Sequence, residues 1–199
     1  MKFATALDSV FDRVTKVRVL RRMLSAPARR WTGRELAGAA GVSTSQAARD
    51  LRSLSDAGVV EFEVQGRAFV WRLNDQSALY SELLLLFQRE ARLRSDLVRE
   101  ISVIFRTAPI RRARLFGSVA RGDEGQDSDV DLFLEIKSAA QRPLIEDAVA
   151  RARERVWKKF GNPLAPLVYT ASKARRPPNR SLMTAIDQAG LEIPEVGEG

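Results

Sequence analysis

The stretch between residues 115 and 136 holds the side chains best suited to chemistry. Gly117-Ser118 follows an apolar run, and after ten further residues Asp129-x-Asp131 opens a second apolar run. Residues two apart in a strand project from the same face, so the two carboxylates would face one point and repel each other unless a cation lies between them. Mg²⁺ prefers such oxygen ligands, while Gly117-Ser118 would offer backbone N–H groups and a hydroxyl to phosphate oxygens. The pattern predicts metal-assisted transfer of a phosphoryl or nucleotidyl group.

Two short strings make this stretch similar to a known family. GSVARG occupies residues 117–122, and SDVD occupies residues 128–131. Together they resemble the signature of the DNA polymerase beta-like nucleotidyltransferase superfamily, and in particular its minimal nucleotidyltransferase branch. A glycine-rich hairpin with solvated acids is the structural alternative, but the presence of both strings, each next to an apolar run, favours the family.

The resemblance implies a role for each matched residue. Asp129 and Asp131 would be catalytic and would bind Mg²⁺, while Gly117, Ser118 and Arg121 would bind the nucleotide. The implied reaction is Mg²⁺-dependent transfer of a nucleoside monophosphate from an NTP to a hydroxyl group on a protein or an RNA. Proteins of this branch act as antitoxins that nucleotidylate a partner toxin, so a toxin-like protein is an expected partner.

The sequence lacks an obvious third catalytic carboxylate. Active members of the superfamily supply it from the strand after the crossover helix, here residues 165–169, where the equivalent position is expected at Pro166. Residues 155–186 contain no Asp or Glu. Glu135, about 13 Å along the strand from the pair, is a poor substitute, whereas Asp127 on the preceding loop is nearer and could join the metal shell. A catalytically weak or inactive transcriptional regulator, which binds DNA and uses this domain to bind nucleotide or a partner protein, therefore stays open as the alternative.

A run of basic residues follows the motif with no acidic residue among them. These residues would either create a positive field that attracts triphosphate or nucleic acid, or form the solvated face of a helix and a loop. They are Arg155, Lys158, Lys159, Lys173, Arg175, Arg176 and Arg180.

Two capping boxes predict a pair of short helices near the N-terminus. Thr32 with Glu35 starts the first helix, Ser43 with Gln46 starts the second, and a turn at Gly41 joins them. The second helix is expected to bury Ala47, Ala48, Leu51 and Leu54. Its outward side chains are expected to be of the types that reach base edges and phosphates in DNA: Ser45, Gln46, Arg49, Arg52 and Ser53.

A β-hairpin is predicted after this second helix, because residues 60–64 and 69–73 alternate apolar and polar side chains around a turn at residues 65–67. The side chains expected to point inward are Val60, Phe62, Val64, Phe69, Trp71 and Leu73. Helix-turn-helix followed by hairpin resembles a winged helix over residues 1–74, with Arg67 at the tip of the wing. The resemblance implies binding of duplex DNA, although winged helices also serve as protein-docking modules.

The composition limits the classes of site and partner. The 199 residues carry a formal net charge of +8 and include neither Cys nor His. Disulfides and thiolate or histidine ligands are thereby excluded, so any metal is expected to be bound by oxygen. The positive charge suits a polyanionic partner, no apolar run approaches the length of a membrane span, and the cytoplasm is the expected location.

The expected fold class is α+β, with three segments. Residues 1–74 are predicted to form a winged helix-turn-helix DNA-binding domain, residues 75–108 a long connector helix, and residues 109–199 a nucleotidyltransferase α/β domain with a mixed sheet. A leucine stripe along the connector indicates a homodimer as an additional hypothesis. Residues 192–199 are expected to form a frayed acidic tail.

Overall fold

The computed structural model describes residues 5–123, 125 and 128–197. By its internal contacts the chain divides into two compact units, Met1–Arg92 and Leu93–Gly199. The division falls inside one continuous helix, Tyr80–Phe105, which therefore contributes residues to both units. The sequence-based division, which gives residues 75–108 a segment of their own, stays a prediction.

The N-terminal unit combines helices with a small antiparallel sheet. Its helices are α1 (Asp8–Phe11), α2 (Val14–Leu24), α3 (Gly33–Ala40), α4 (Thr44–Asp56) and the first part of α5 (Tyr80–Phe105). Its strands are β1 (Trp31–Thr32), β2 (Val60–Gln65) and β3 (Ala68–Leu73), in the order β1-β3-β2. The predicted pair of short helices followed by a hairpin is present.

Local side-chain caps set the starts of α3 and α4. Thr32 accepts a hydrogen bond from the backbone N–H of Glu35, whose carboxylate accepts from the backbone of Thr32, so the predicted capping box is complete. Gly41 ends α3 with φ at +65°, a left-handed conformation that favours glycine. Ser43 accepts from the N–H of Gln46, but the side chain of Gln46 bonds to Asp50 instead of completing the second box.

The predicted core of the N-terminal unit needs two corrections. On α4, Ala48 is exposed and Asp50 is fully buried, because Asp50 lies on the same helical arc as Ala47, Leu51 and Leu54. In the hairpin only the end nearest the helices is covered: Val60, Trp71 and Leu73 are buried. Phe62, Val64 and Phe69 were predicted to point into the core, yet they are 45%, 66% and 47% exposed.

The C-terminal unit is built on a four-stranded mixed sheet, as predicted. Strands β4 (Ile110–Phe116), β5 (Val130–Ile136), β6 (Leu164–Thr170) and β7 (Leu191–Ile193) lie in the order β6-β5-β4-β7, with only β5 and β6 parallel. The helices of this unit are the rest of α5, α6 (Gly117–Arg121), α7 (Arg142–Phe160), α8 (Ala171–Arg175) and α9 (Arg180–Ala189), and a 3₁₀ turn at Ala139–Gln141 precedes α7.

The two faces of this sheet have different partners. On one face, Val130, Leu132, Leu134 and Ile136 pack in the main core with buried residues of α5 and α7. On the other face, Phe133 of β5 and Tyr169 of β6 pack with Met183 and Ile186 of α9. Side chains alternate along a strand, so Asp131 belongs to the face of Phe133.

Residues 191–193 form a strand of the sheet, and residues 194–197 continue from it, so the predicted frayed tail is wrong for residues 192–197. Residues 198–199 of that prediction lie outside the described residues. Strand β7 pairs with β4, and Ser102 donates a 2.8 Å hydrogen bond to the carbonyl oxygen of Pro194. Arg106 pairs with Glu195 at 2.8 Å. None of the helices in the described part of the chain combines the length and the apolar character needed to cross a bilayer.

Candidate functional site

The Gly-Ser turn and the aspartate pair lie together at one end of the sheet. Strand β4 ends at Phe116, which is registered against Asp131 of the antiparallel neighbour β5. Gly117 has φ at +72°, and a Cβ built on it would lie 2.1 Å from Oδ2 of Asp131. Glycine is therefore needed at position 117 for its backbone conformation and also for the space that the carboxylate occupies.

The two carboxylates of the pair share one face and influence each other. Asp129 is exposed just before β5, and Asp131 is half-buried on the strand. Burial raises the pKa of Asp131 above its usual range and the charge of Asp129 raises it further, while Arg121 acts in the opposite direction. Two oxygen donors in mutual repulsion, beside a turn that leaves room only for glycine, suit a hard divalent cation such as Mg²⁺.

Hydrogen bonds fix the start of β5, where Asp129 stands. Asn162 donates its side-chain amide to the carbonyl oxygen of Ser128 at 2.9 Å, and the N–H of Val130 donates to the carbonyl oxygen of Pro163 at 2.8 Å. The turn between α7 and β6 therefore holds the residues on either side of Asp129. This support comes from a segment about thirty residues away in sequence, and sequence reasoning did not identify it.

The short helix α6 carries the other predicted nucleotide contacts. Ser118 follows Gly117, and its carbonyl oxygen accepts hydrogen bonds from the N–H groups of Gly122 and Asp123 at 2.8 and 3.2 Å. Arg121 donates from Nε to Asp123 at 3.0 Å. The structure thus places Gly117, Ser118 and Arg121 on one turn of chain beside Asp131.

Arg94 is a further cation next to this turn. It lies on α5 within the C-terminal unit, and its guanidinium occupies the space next to Gly122, 2.6 Å from where a Cβ would stand. Gly122 also has φ at +78°. Sequence reasoning did not identify Arg94, because the residue precedes the motif and meets it only through packing of α5.

The position beside Asp131 on the neighbouring strand is Ala165, not Pro166. In the parallel register of β5 and β6, Asp131 pairs with Ala165 and Leu132 pairs with Pro166. Registered residues of parallel strands point to the same face, so Pro166 faces away from the carboxylates. The prediction failed by one residue, and a shift of one residue along a strand reverses the face.

A third carboxylate is missing from the described part of the site. Within residues 5–123, 125 and 128–197 there is no group of three acidic side chains that could hold a metal ion. Asp127 lies outside the described residues. Glu135 is engaged at the far end of β5, where it pairs with Arg112 at 3.2 Å, so it is not a substitute.

The predicted basic run does not surround the aspartate pair. On α7, which packs against the opposite face of the sheet, Arg155 and Lys159 both pair with Glu100, and Lys158 pairs with Glu154 at 2.6 Å. These ion pairs hold the pKa of Glu100 below its usual range, with Lys159 the largest cause. Helix α8 follows the end of β6 that lies beside Ile136, away from Asp131, and carries Lys173 and Arg175. The alternative of solvated, ion-paired surfaces is favoured.

The residues predicted to bind DNA form an exposed group on α4. Ser45, Arg49 and Arg52 are exposed, and Gln46 is half-buried. The prediction for Ser53 was wrong, because its hydroxyl faces inward and accepts a hydrogen bond from the buried Lys16. Arg49 donates to the side-chain oxygen of Gln46 at 2.7 Å. Arg67 is exposed at the turn between β2 and β3, the expected wing tip.

Comparison with known proteins supports the reading of the C-terminal unit. Residues 97–184 match the family model of the nucleotidyltransferase domain. The matched segment contains the Gly-Ser turn, the aspartate pair and strand β6. Over these residues the C-terminal unit is therefore similar to a nucleotidyltransferase domain. No match was found among curated proteins.

Three solved structures are similar to parts of the chain. A possible transcriptional regulatory protein of Mycobacterium bovis (fragment 1–100) is 20% identical, with a TM-score of 0.36 over 45% of this chain and 95% of that one. Mycobacterium tuberculosis Rv0081 is 24% identical, with a TM-score of 0.37 over 48% and 92%. A possible transcriptional regulator of Methanosarcina mazei Go1 is 12% identical, with a TM-score of 0.34 over 50% and 88%.

Replacing Gly117 by Ala tests the contact with Asp131. The change imposes backbone strain of about 1–2 kcal/mol and drives a methyl group into the carboxylate. We expect binding of Mg²⁺ with NTP, measured by calorimetry, to weaken by more than roughly tenfold. Gly58→Ala is the matched control, since Gly58 lies in the N-terminal unit, has φ at +71° and has nothing within 4 Å of its Cβ position. Equal loss of nucleotide affinity in both variants would contradict this role of Gly117.

Replacing Asp131 by Asn tests the electrostatics of the pair through stability. The pKa of Asp131 is raised in the folded protein, so the folded state binds the proton more tightly than the unfolded chain does. Its ionised form therefore lowers stability above the folded pKa, and this penalty disappears below the unfolded pKa. We expect Asp131→Asn to raise the melting temperature at neutral pH without divalent cations, and to bring no such gain in acid.

Mg²⁺ supplies the internal control for that experiment. It should stabilise the wild-type protein at neutral pH and leave Asp131→Asn largely unaffected, because the variant lacks one of the two anionic ligands. A variant that is less stable than wild type at neutral pH without metal would show that the pair is not under repulsion.

Proposed function

We propose that the chain is a DNA-binding protein whose C-terminal domain binds Mg²⁺ with an NTP and transfers the nucleoside monophosphate to a hydroxyl group on a protein or an RNA. The observation that carries the proposal is the approach of Asp131 to Gly117. It brings a metal-binding type of residue next to a turn of the phosphate-binding type, inside a segment that matches the nucleotidyltransferase domain.

Each residue of the site has a proposed task. Asp129 and Asp131 would hold Mg²⁺, which would supply positive charge to the phosphates when bound. The backbone at Gly117 and the hydroxyl of Ser118 would orient the β- and γ-phosphates, and Arg121 would add charge beside them. The acceptor hydroxyl must lose a proton, and no carboxylate of the described chain lies beside the pair to accept it.

The alternative function is regulation without turnover. Ala165 stands at the position beside Asp131 and has no group that could complete a metal site or accept a proton. This observation favours a protein that binds nucleotide and changes its affinity for DNA or for a partner. An antitoxin role fits either version, with a toxin-like partner that supplies the acceptor hydroxyl or the missing carboxylate.

We propose that the N-terminal unit is a winged helix-turn-helix that binds duplex DNA. Helix α4 would enter the major groove with Ser45, Gln46, Arg49 and Arg52, and Arg67 at the hairpin turn would reach the backbone. The support is the order of α3, the turn at Gly41, α4 and the hairpin. Location in the cytoplasm and a homodimer through α5, on which Leu86 and Leu93 of the leucine stripe are exposed, remain part of the proposal.

Installing a carboxylate at Ala165 tests the catalytic half of the proposal. Wild-type protein should bind Mg²⁺ with NTP, Asp129→Ala or Asp131→Ala should abolish binding, and transfer should be slow unless a partner supplies a carboxylate. Ala165→Asp should raise transfer of label from NTP by roughly tenfold or more, since a positioned base contributes about 10²–10⁴ in rate.

Two further variants control for the size of the new side chain and for the face of β6 on which it lies. Ala165→Asn introduces a side chain of the same shape as Asp but without its charge. Pro166→Asp adds the charge on the opposite face of β6. Neither should raise transfer. Rapid transfer by the wild-type protein to an acceptor that supplies no carboxylate would show that the third acid is not limiting.

Replacing Arg49 and Arg52 by Ala tests DNA binding by α4. Phosphate contacts release counterions, so affinity of the wild-type protein for duplex DNA should fall steeply with salt, and each lost contact should reduce the salt slope by roughly one. Arg18→Ala, at an exposed position on α2, is the control and should leave the slope unchanged. Absence of binding by the intact protein at low salt would favour a protein-docking role for this unit.

A further inference from the structure

A carboxylate lies buried directly beneath the exposed side of α4. Asp50 has no solvent exposure. Its Oδ1 accepts a hydrogen bond from Nε2 of Gln46 at 3.0 Å and faces NH1 of Arg13, on the N-terminal side of α2, at 3.4 Å. A buried carboxylate is retained in a small domain only when polar partners offset its desolvation.

The contact with Asp50 fixes the orientation of the Gln46 amide. An ionised carboxylate only accepts hydrogen bonds, so the amide nitrogen of Gln46 must face inward. The amide oxygen then faces Arg49, whose NH2 donates to it at 2.7 Å. Gln46 is thereby held between a buried acid and an exposed base, and its direction is set before any ligand arrives.

A second set of contacts anchors the same helix to α1 and α2. The fully buried Lys16 donates to the hydroxyl of Ser53 on α4 at 2.9 Å and to the carbonyl oxygen of Ser9 at 2.7 Å, and it pairs with Asp12 at 2.6 Å. These contacts connect α4 to α1 and α2. They do not account for the chain that leads outward from Asp50 through Gln46 to Arg49.

We propose that Asp50 is a positioning residue for DNA recognition, acting through Gln46; this rests on the DNA binding proposed for α4. With one N–H held by Asp50, Gln46 keeps its second N–H and a lone pair of its oxygen for a base edge. A glutamine amide in that orientation is complementary to the N7 acceptor and N6 donor of adenine in the major groove. Arg49, tied to the same amide, is placed to contact the adjoining base or phosphate.

The experiment measures sequence discrimination separately from affinity for any DNA. A pool of short duplexes with a randomised centre is selected on the full-length wild-type protein. Affinities for the selected duplex and for a scrambled duplex of the same composition are then measured by fluorescence anisotropy at several salt concentrations. The discrimination ratio reports base contacts, and the salt slope reports phosphate contacts.

Asp50→Asn should lower the discrimination ratio by about tenfold, the value of one good bidentate base contact, because an asparagine can donate as well as accept and lets Gln46 rotate. The salt slope and the affinity for scrambled duplex should stay unchanged. Gln46→Ala should lose the same discrimination, and the double variant should lose no more than either single one, since both changes remove one contact.

Ser53→Ala is the matched control for a purely structural role. It removes a partner of Lys16 within the same unit and should lower the melting temperature without altering discrimination. Unchanged discrimination in Asp50→Asn, or losses that add in the double variant, would overturn the positioning role. If Asp50→Asn lost affinity for the selected and the scrambled duplex alike, Asp50 would serve only stability, and the positioning role would be overturned as well. A wild-type protein that binds no duplex at low salt would overturn the DNA-binding function itself.

Discussion

The close approach of the Asp131 carboxylate to the backbone of Gly117 is the contact on which the proposed chemistry depends. It joins the end of β4 to the start of β5, so the phosphate-binding type of turn and the metal-binding type of residue form one site. Any side chain at position 117 would occupy the place of the carboxylate, and the left-handed φ of Gly117 excludes most residues in any case. The register of Phe116 against Asp131 sets this contact, and hydrogen bonds from the turn before β6 hold the strand that carries it.

The sheet separates this site from most of the charge in the domain. One face is covered by α5 and α7, and on α7 Arg155 and Lys159 pair with Glu100 while Lys158 pairs with Glu154. The other face carries the aspartates at one end, an apolar cluster around Phe133 in the middle, and the ion pair of Glu135 with Arg112 at the far end. Charges at the far end are satisfied locally, which leaves the aspartates as the acidic pair free to bind a cation in the described part of this face.

In the N-terminal unit, buried polar groups hold α4 against the neighbouring helices. Lys16 and Asp50 are both fully buried. Lys16 contacts Ser9, Asp12 and Ser53, while Oδ1 of Asp50 contacts Gln46 of the same helix and Arg13. Such groups are less tolerant of displacement than apolar side chains, because losing one partner leaves a buried charge unsatisfied. The placement of α4 against α1 and α2 is therefore specified by directional bonds as well as by the apolar core. The exposed side chains of α4 that are proposed to bind DNA would benefit from that rigidity.

The sequence by itself determined the local features: the capping box at Thr32, the turn at Gly41 and the alternation of side chains along β5. These depend on residue types and short spacings. Tertiary structure decided which residue of β6 stands beside Asp131, since one step of strand register exchanges Ala165 for Pro166. It also decided that Asp50 is buried, that residues 191–193 form a strand, and that Arg94 meets Gly122. Each of these depends on contacts between segments far apart in the chain, and no local pattern encodes them.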